Sequence, residues 1–376
     1  MTIGLDLRSL IRSRLCVVIH PVYCARAVGV FVLGLMTIWA AAATAEPAST
    51  PPTPQPEVVR KLYLPYMKPV PKTAVPSIKS ANQNPKKKLV DLGRRLFFER
   101  ALSADRTRSC NDCHDLSKYG TNGAVAVEAR KAGTLKRDVP SLYNMGSHLI
   151  FKWDGAHKDL RSQTASALKS SSENGMASDD AIVKRLESIP LYRERFKLTF
   201  AKDDDQDAGT ITAAKVVEAL VSFQQGLITR APFDEFLLGD DKALSAEQLR
   251  GGMLFSRKNC AACHTGSASG GQMLQELGYV KPWPNQKDLG YYKISGNPAH
   301  KLVFRVPPLR NVEKTGPYFH DHSVRSLRWA IREITLHQQG LYLSLSEVRA
   351  IESFMKSFTG ELPRDYIKPP GGDKKD

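Results

Sequence analysis

The pattern Cys-x-x-Cys-His occurs twice, as Ser109-Cys110-Asn111-Asp112-Cys113-His114 and as Asn259-Cys260-Ala261-Ala262-Cys263-His264, and nothing else in the 376 residues restricts the fold as much. The spacing suits c-type haem attachment, in which two thiols add to the two vinyl groups of one porphyrin and the adjacent histidine turns under the ring to ligate iron. A Cys-x-x-Cys pair alone also suits a zinc half-site or a redox couple. A zinc ribbon brings its second pair about 15 to 20 residues on, whereas these pairs stand 150 residues apart, each able to serve its own domain. Two covalent haems are therefore expected, on Cys110 and Cys113 and on Cys260 and Cys263, with His114 and His264 as iron ligands.

Residues 27 to 45 form an apolar run that follows Arg8, Arg12, Arg14 and Arg26 and ends in Ala43-Thr44-Ala45. This is the pattern of a secretory signal with a small-x-small cleavage site. The alternative is an uncleaved anchor, since about 20 apolar residues span a bilayer. Cleavage would remove Cys16 and Cys24 and leave only the four cysteines of the two motifs, in a chain exported to the periplasm and without stable membrane insertion. The whole chain carries a net charge of +16, and the part after residue 45 carries +13. Such an excess favours an acidic partner surface; nucleic acid, the usual alternative for a basic chain, is not expected for an exported haem protein. Hydrophobic residues at 42% and charged residues at 24% leave enough material for packed cores.

The helical signals cluster around the two motifs. Ser245-Ala246-Glu247-Gln248 and Ser344-Leu345-Ser346-Glu347 are capping boxes, and the second opens a stripe of Val348, Ile351, Met355 and Phe358 that ends at Gly360. Leu89, Leu92, Leu96 and Phe97 share one helical face after Asn84-Pro85, and Thr212 to Thr229 reads as a helix with Val216, Val217, Leu220 and Phe223 inward. No strand alternation is long enough to build a sheet. The expected fold is mainly α, with two cytochrome c-like haem domains packed face to face. The expected divisions are a signal (1–45), a proline-rich flexible segment (46–83), an N-terminal domain (84–240), a C-terminal domain (241–363) and a polar tail (364–376).

From about Leu92 to Gly360 the sequence resembles the bacterial di-haem cytochrome c peroxidase and MauG family. The resemblance is carried by LGRRLFFERALSADRTRSCNDCH, FKWDGAHKDL, APFDEFLLGD, GGMLFSRKNCAACHTG, FRVPPLRNVEKTGPYFH and FMKSFTGEL, in the family's order and near its spacing. It implies that His114 belongs to the peroxide-reacting haem and His264 to the haem that receives electrons from an external donor. It implies Glu173 as the catalytic carboxylate, Gln163 as a distal residue that orients peroxide, and Trp153 as an electron relay between the haems. It also implies a calcium ion held between the domains by Asp138 and the carbonyls of Thr315 and Pro317, with Asp138 in place of the usual amide.

Two departures from the family stand out. Thr121 to Thr134 contains no histidine, and about Arg130 falls where a reductively activated peroxidase keeps a removable iron ligand, so an iron open from the start is expected. At the C-terminal haem, Ile334 falls where peroxidases have methionine and MauG has tyrosine. His337 is the nearest alternative ligand, with His322 the weaker candidate and a five-coordinate iron the remaining option. The expected activity is reduction of hydrogen peroxide with electrons from a small cytochrome c or cupredoxin. A MauG-like oxidation of residues in a partner protein is the second reading, and a non-catalytic electron-transfer cytochrome the third. The sequence is compatible with a monomer or a homodimer.

Overall fold

A computed structural model describes residues 52–71, 85–122, 137–200 and 209–371. The signal, the loop that holds Arg130 and the last five residues lie outside the described residues. Helices dominate. The first helix, α1 (Pro56–Tyr63), precedes a unit built from α2 (Pro85–Phe97), the single turn α3 (Cys110–Cys113), α4 (Leu160–Lys169), α5 (Asp179–Glu187), α6 (Pro190–Phe200) and α7 (Ala213–Gln225). The second unit follows with α8 (Pro232–Leu237), α9 (Ala246–Arg257), the single turn α10 (Tyr292–Ser295), α11 (Leu327–Gln339) and α12 (Leu345–Lys356). The expected absence of a sheet gives way to one short antiparallel ladder, β1 (Leu274–Glu276) against β2 (Val303–Arg305).

Each unit is organised by one tight helix crossing. In the first, α2 crosses α7 where Gly93 faces the Ala219 carbonyl, so closely that a Cβ on Gly93 would lie 1.9 Å from that oxygen. In the second, α9 crosses α12 with Gly251 against the Ala350 carbonyl, and a Cβ there would lie 1.8 Å away. Four residues beyond each alanine stands a buried phenylalanine, Phe223 or Phe354, whose Cβ would lie 2.8 Å from a Cβ on the glycine. The same crossing therefore recurs in both halves, and each crossing carries its own core: Leu92, Leu96, Phe97, Leu220 and Phe223 in one, Leu249, Phe255, Ile351 and Phe354 in the other.

The capping boxes at Ser245 and Ser344 form as expected, each serine accepting from the backbone three residues on. The helix begun at Thr212 stops at Gln225 rather than Thr229, because the Thr229 amide bonds to the Asn144 side chain and the strand of backbone turns away.

Both expected loose ends are corrected. Residues 56–70, placed in a flexible segment, form α1 and its continuation, with Val59, Tyr63 and Met67 inside the second unit's core. The Tyr63 hydroxyl donates to the Gly252 carbonyl, and the Val70 amide donates to Asp234 at 2.8 Å. Asp234 in turn holds Arg310 through two 2.7 Å bonds, a fully buried pair. Pro56 occupies the first helical position, where its missing N–H is no loss. The tail is likewise anchored: Tyr366 packs on Phe223 and lies under Arg94, which donates to the Lys368 carbonyl. Residues 56–70 thus strap the second unit while residues 366–368 strap the first.

Candidate functional site

The first motif is shaped by its own intervening residues. Ser109 caps α3, and both its amide and its hydroxyl donate to the Asp112 carboxylate at 2.7 Å, so the residue between the cysteines closes the turn that presents them. The His114 amide returns to the Cys110 carbonyl, and its ring Nδ1 donates to the Gly120 carbonyl at 3.2 Å. With Nδ1 engaged and burial holding the ring's pKa below its ordinary value, His114 is neutral and offers the Nε2 lone pair. Burial pushes the Cys110 thiol up to about 12, so it is no low-pKa redox thiolate.

A cavity of about 490 Å³ opens on these residues. Its walls bring together Cys110, Cys113 and His114 with Gln163, Glu173 and Lys152, and with apolar Phe97, Leu168 and Leu220. Trp153, Arg305 and Asp138 also reach it. The Gln163 Oε1 and the Arg305 Nε are buried without a hydrogen-bond partner, as expected where a large polar-edged group belongs. Glu173 stands in a loop that is pinned at its next residue: Asn174 donates to the Leu102 carbonyl and accepts from the Ala104 amide. Lys152 meets the Glu173 carboxylate at 2.9 Å; nothing in the sequence pattern pointed to this pair.

Trp153 is 8% exposed, and its indole donates to the Asp138 carbonyl at 2.9 Å. Its own carbonyl accepts from the Arg305 amide, and the Arg305 guanidinium lies 5.9 Å from its ring. The tryptophan therefore joins residues of both units. Arg305 is wholly buried, which lowers its pKa to about 10, and its Nη1 lies 3.1 Å from His148 Nδ1. Burial, with Arg305 adding to it, presses His148 down to about 3.

This imidazole is expected to govern acid stability. Neutral in the fold, it binds fewer protons than in the unfolded chain, so its contribution is complete above about pH 6.5 and is lost as pH falls toward about 3. His148→Gln should flatten the fall of Tm between about pH 6.5 and 4, measured by thermal melts across that range. An acid profile identical to wild type would assign the fall to other groups.

The second motif repeats the first with local differences. Asn259 takes a left-handed backbone before the turn Cys260–Ala262, and the His264 Nδ1 faces the Ser269 carbonyl at 3.3 Å. Burial lowers His264 to about 4 and raises Cys260 to about 12. No disulfide joins any of the four thiols. Among the described residues no three acidic, histidine or cysteine side chains gather as a metal cluster.

The two histidines expected as alternative ligands of the second iron each make contacts within the chain. His337 is buried, its Nδ1 lies 2.8 Å from the Lys281 carbonyl, its Nε2 faces Glu333 at 3.5 Å, and its ring stands edge-on to Trp283. Nδ1 is thus engaged, while Nε2 has only the 3.5 Å contact with the Glu333 carboxylate. His322 Nε2 meets the Asp138 carboxylate at 2.7 Å. That contact also bears on calcium: of the expected ligands Asp138, Thr315 and Pro317, the single anionic one already has an in-chain donor.

The chain is similar to known proteins over most of its length. Residues 87–242 match the family model described as di-haem cytochrome c peroxidase. The chain is 36% identical over 284 residues to cytochrome c551 peroxidase of Nitrosomonas europaea, covering 75% of this chain and 82% of that one. It is 32% identical over 256 residues to the methylamine utilization protein MauG of Methylorubrum extorquens, covering 68% and 70%. Among solved structures, a MauG-like protein associated with microbial copper homeostasis superposes with a TM-score of 0.62 at 25% identity, over 80% of this chain and 95% of that one.

Proposed function

The chain belongs to the di-haem cytochrome c peroxidase family, and on that premise we propose that it is an exported, periplasmic enzyme that reduces hydrogen peroxide to water with electrons from a small cytochrome c or cupredoxin. The observation that carries the proposal is the single cavity that unites the first Cys-x-x-Cys-His motif with Glu173 and Gln163. Two covalent haems c, held by the four cysteines with His114 and His264 as ligands, supply the redox chemistry when bound.

The chain's own contribution is proton handling and exclusion of alternatives. Reduction of one peroxide consumes two protons and two electrons and yields two waters. Glu173 is the group that takes a proton from one peroxide oxygen and returns it to the departing one. Gln163, whose carbonyl oxygen is buried and unpartnered, accepts a hydrogen bond from the bound peroxide and orients it. Trp153 links the two units through Asp138 and Arg305, a route suited to electron passage. A calcium ion at Asp138, Thr315 and Pro317 would use the Asp138 carboxylate oxygen that does not meet His322.

The test is stoichiometric. Wild-type holoenzyme given peroxide and a reduced small cytochrome c should oxidise two donors for each peroxide consumed. A specific feature supports a second reading: Ile334, which the resemblance places where peroxidases have methionine, has no donor atom. Peroxide consumed with no oxidation of any small donor, but with oxidation of residues in a co-purifying protein, would favour the MauG-like activity. Peroxide left untouched would return the chain to a plain electron carrier.

A further inference from the structure

Residues 151–157 form a small hairpin in which the Phe151 amide donates to the His157 carbonyl and the Gly155 amide closes the turn on Lys152. At its tip two neighbouring side chains serve different places: Trp153 reaches Asp138 and Arg305, and Lys152 reaches Glu173. Lys152 adopts a left-handed backbone with φ +60°, a conformation that a non-glycine residue keeps only where its surroundings impose it. The return in stability is small, because the Lys152 and Glu173 side chains remain 27% and 33% exposed and ion pairs of that exposure contribute little. Strain retained for so weak a stabilising contact points away from folding and toward the cavity that both side chains line.

The surrounding charges leave this pair to itself. Asp154 is bound by Arg137, which also holds Asp288. His157, beside Lys152, is held below its ordinary pKa by burial and by Lys152, and Cys110 and His114 face Glu173 from the first motif. Among the described residues no second donor reaches the Glu173 carboxylate. Its backbone is pinned through Ser170 and Asn174, but its side chain extends from a serine-rich loop whose other members are largely exposed. Without an anchor, that carboxylate would sample several rotamers.

We propose that Lys152 is a positioning residue: it holds the Glu173 carboxylate in the one orientation from which a proton can pass between the two oxygens of peroxide. The inference rests on the peroxide-reducing reading above and adds to it the element that fixes the acid–base group. Misplacement of a reacting group by about 1 Å can cost about 100-fold in rate, so the effect expected is large although the contact itself is weak.

The experiment measures the rate at which holoenzyme consumes peroxide in Lys152→Met, Lys152→Arg and Lys152→Gly. Lys152→Met should slow the reaction by about 10- to 100-fold with haem content and Tm unchanged, and Lys152→Arg, which can still pair with a carboxylate, should recover most of the rate. Lys152→Gly relieves the left-handed backbone, so its Tm should equal or exceed wild type while its rate falls as far as that of Lys152→Met. Ethylammonium, a probe of the missing charge, should restore part of the rate in Lys152→Gly. In a Glu173→Gln background Lys152→Met should add little further loss, because the two act as one unit. Lys152→Met at the wild-type rate would overturn the inference, as would a full additional loss in the double variant or a Lys152→Gly rate that falls only in step with Tm. If wild type itself leaves peroxide untouched, the functional reading falls, and this inference with it.

Discussion

Glu173→Gln is expected to keep both haems and to lose peroxide turnover by about 100- to 10,000-fold, the range typical of a lost general acid–base group. Glutamine has nearly the same shape and its carbonyl can still accept from Lys152, so the side chain should stay in place. What disappears is the ability to take up and return a proton. The loop should also survive, because its anchors are Asn174 on the Leu102 carbonyl and the Ala104 amide on Asn174, neither of which involves the carboxylate. Replacing the ion pair with a neutral hydrogen bond should cost no more than about 1 kcal/mol at this exposure. The check is stopped-flow peroxide consumption alongside haem quantification and a melting curve. Turnover near the wild-type value would remove Glu173 from the mechanism.

Much of this arrangement was legible in the sequence because it rests on short-range rules. The two motifs carry their meaning in five residues each, and the capping boxes at Ser245 and Ser344 open helices where serine and the acid or amide three residues on predict them. The first loose end was misread because composition outweighed periodicity. Val59 and Tyr63 fall four residues apart on one face of α1, and Met67 continues the spacing just past its end, a stripe hidden by the surrounding prolines. One of those prolines, Pro56, sits at the helix start, where it is compatible with the helix. Tyr366 gave no such signal, since one aromatic residue in a polar tail has no period.

Partnerships across long stretches of chain were not legible at all. Lys152 and Glu173 are brought together by a hairpin tip and a pinned loop, and neither segment has a pattern that names the other. The surroundings of His337 were hidden for a related reason. Its place one helical turn beyond Ile334 suggested an iron ligand, but the segment carrying Lys281 and Trp283 packs against it and engages the ring. Helical spacing defines a face and says nothing of which loop will cover it.

Replacing Cys110 and Cys113 together with serine should remove one covalent haem and all peroxide reactivity, whereas the same change at Cys260 and Cys263 should remove one haem and spare the first reaction with peroxide. The asymmetry follows from the cavity. Glu173, Gln163 and Lys152 line the space that opens on Cys110 and His114, so the second site has no share in that proton machinery. Serine is close to cysteine in size, and the α3 turn is closed by Ser109 and Asp112 rather than by either thiol, so the presenting loop should persist. The loss is therefore of the thioethers, and with them of the group that the apolar walls Phe97, Leu168 and Leu220 enclose. Haem quantification by alkaline pyridine should read one haem per chain in both double variants. In the Cys260 and Cys263 variant, one equivalent of peroxide should still be consumed while steady oxidation of a donor stops, because the second electron has lost its store. Peroxide reactivity retained in the Cys110 and Cys113 variant and lost in the other would reverse the roles of the two sites. It would also make Glu173 a loop carboxylate beside a haem that only carries electrons.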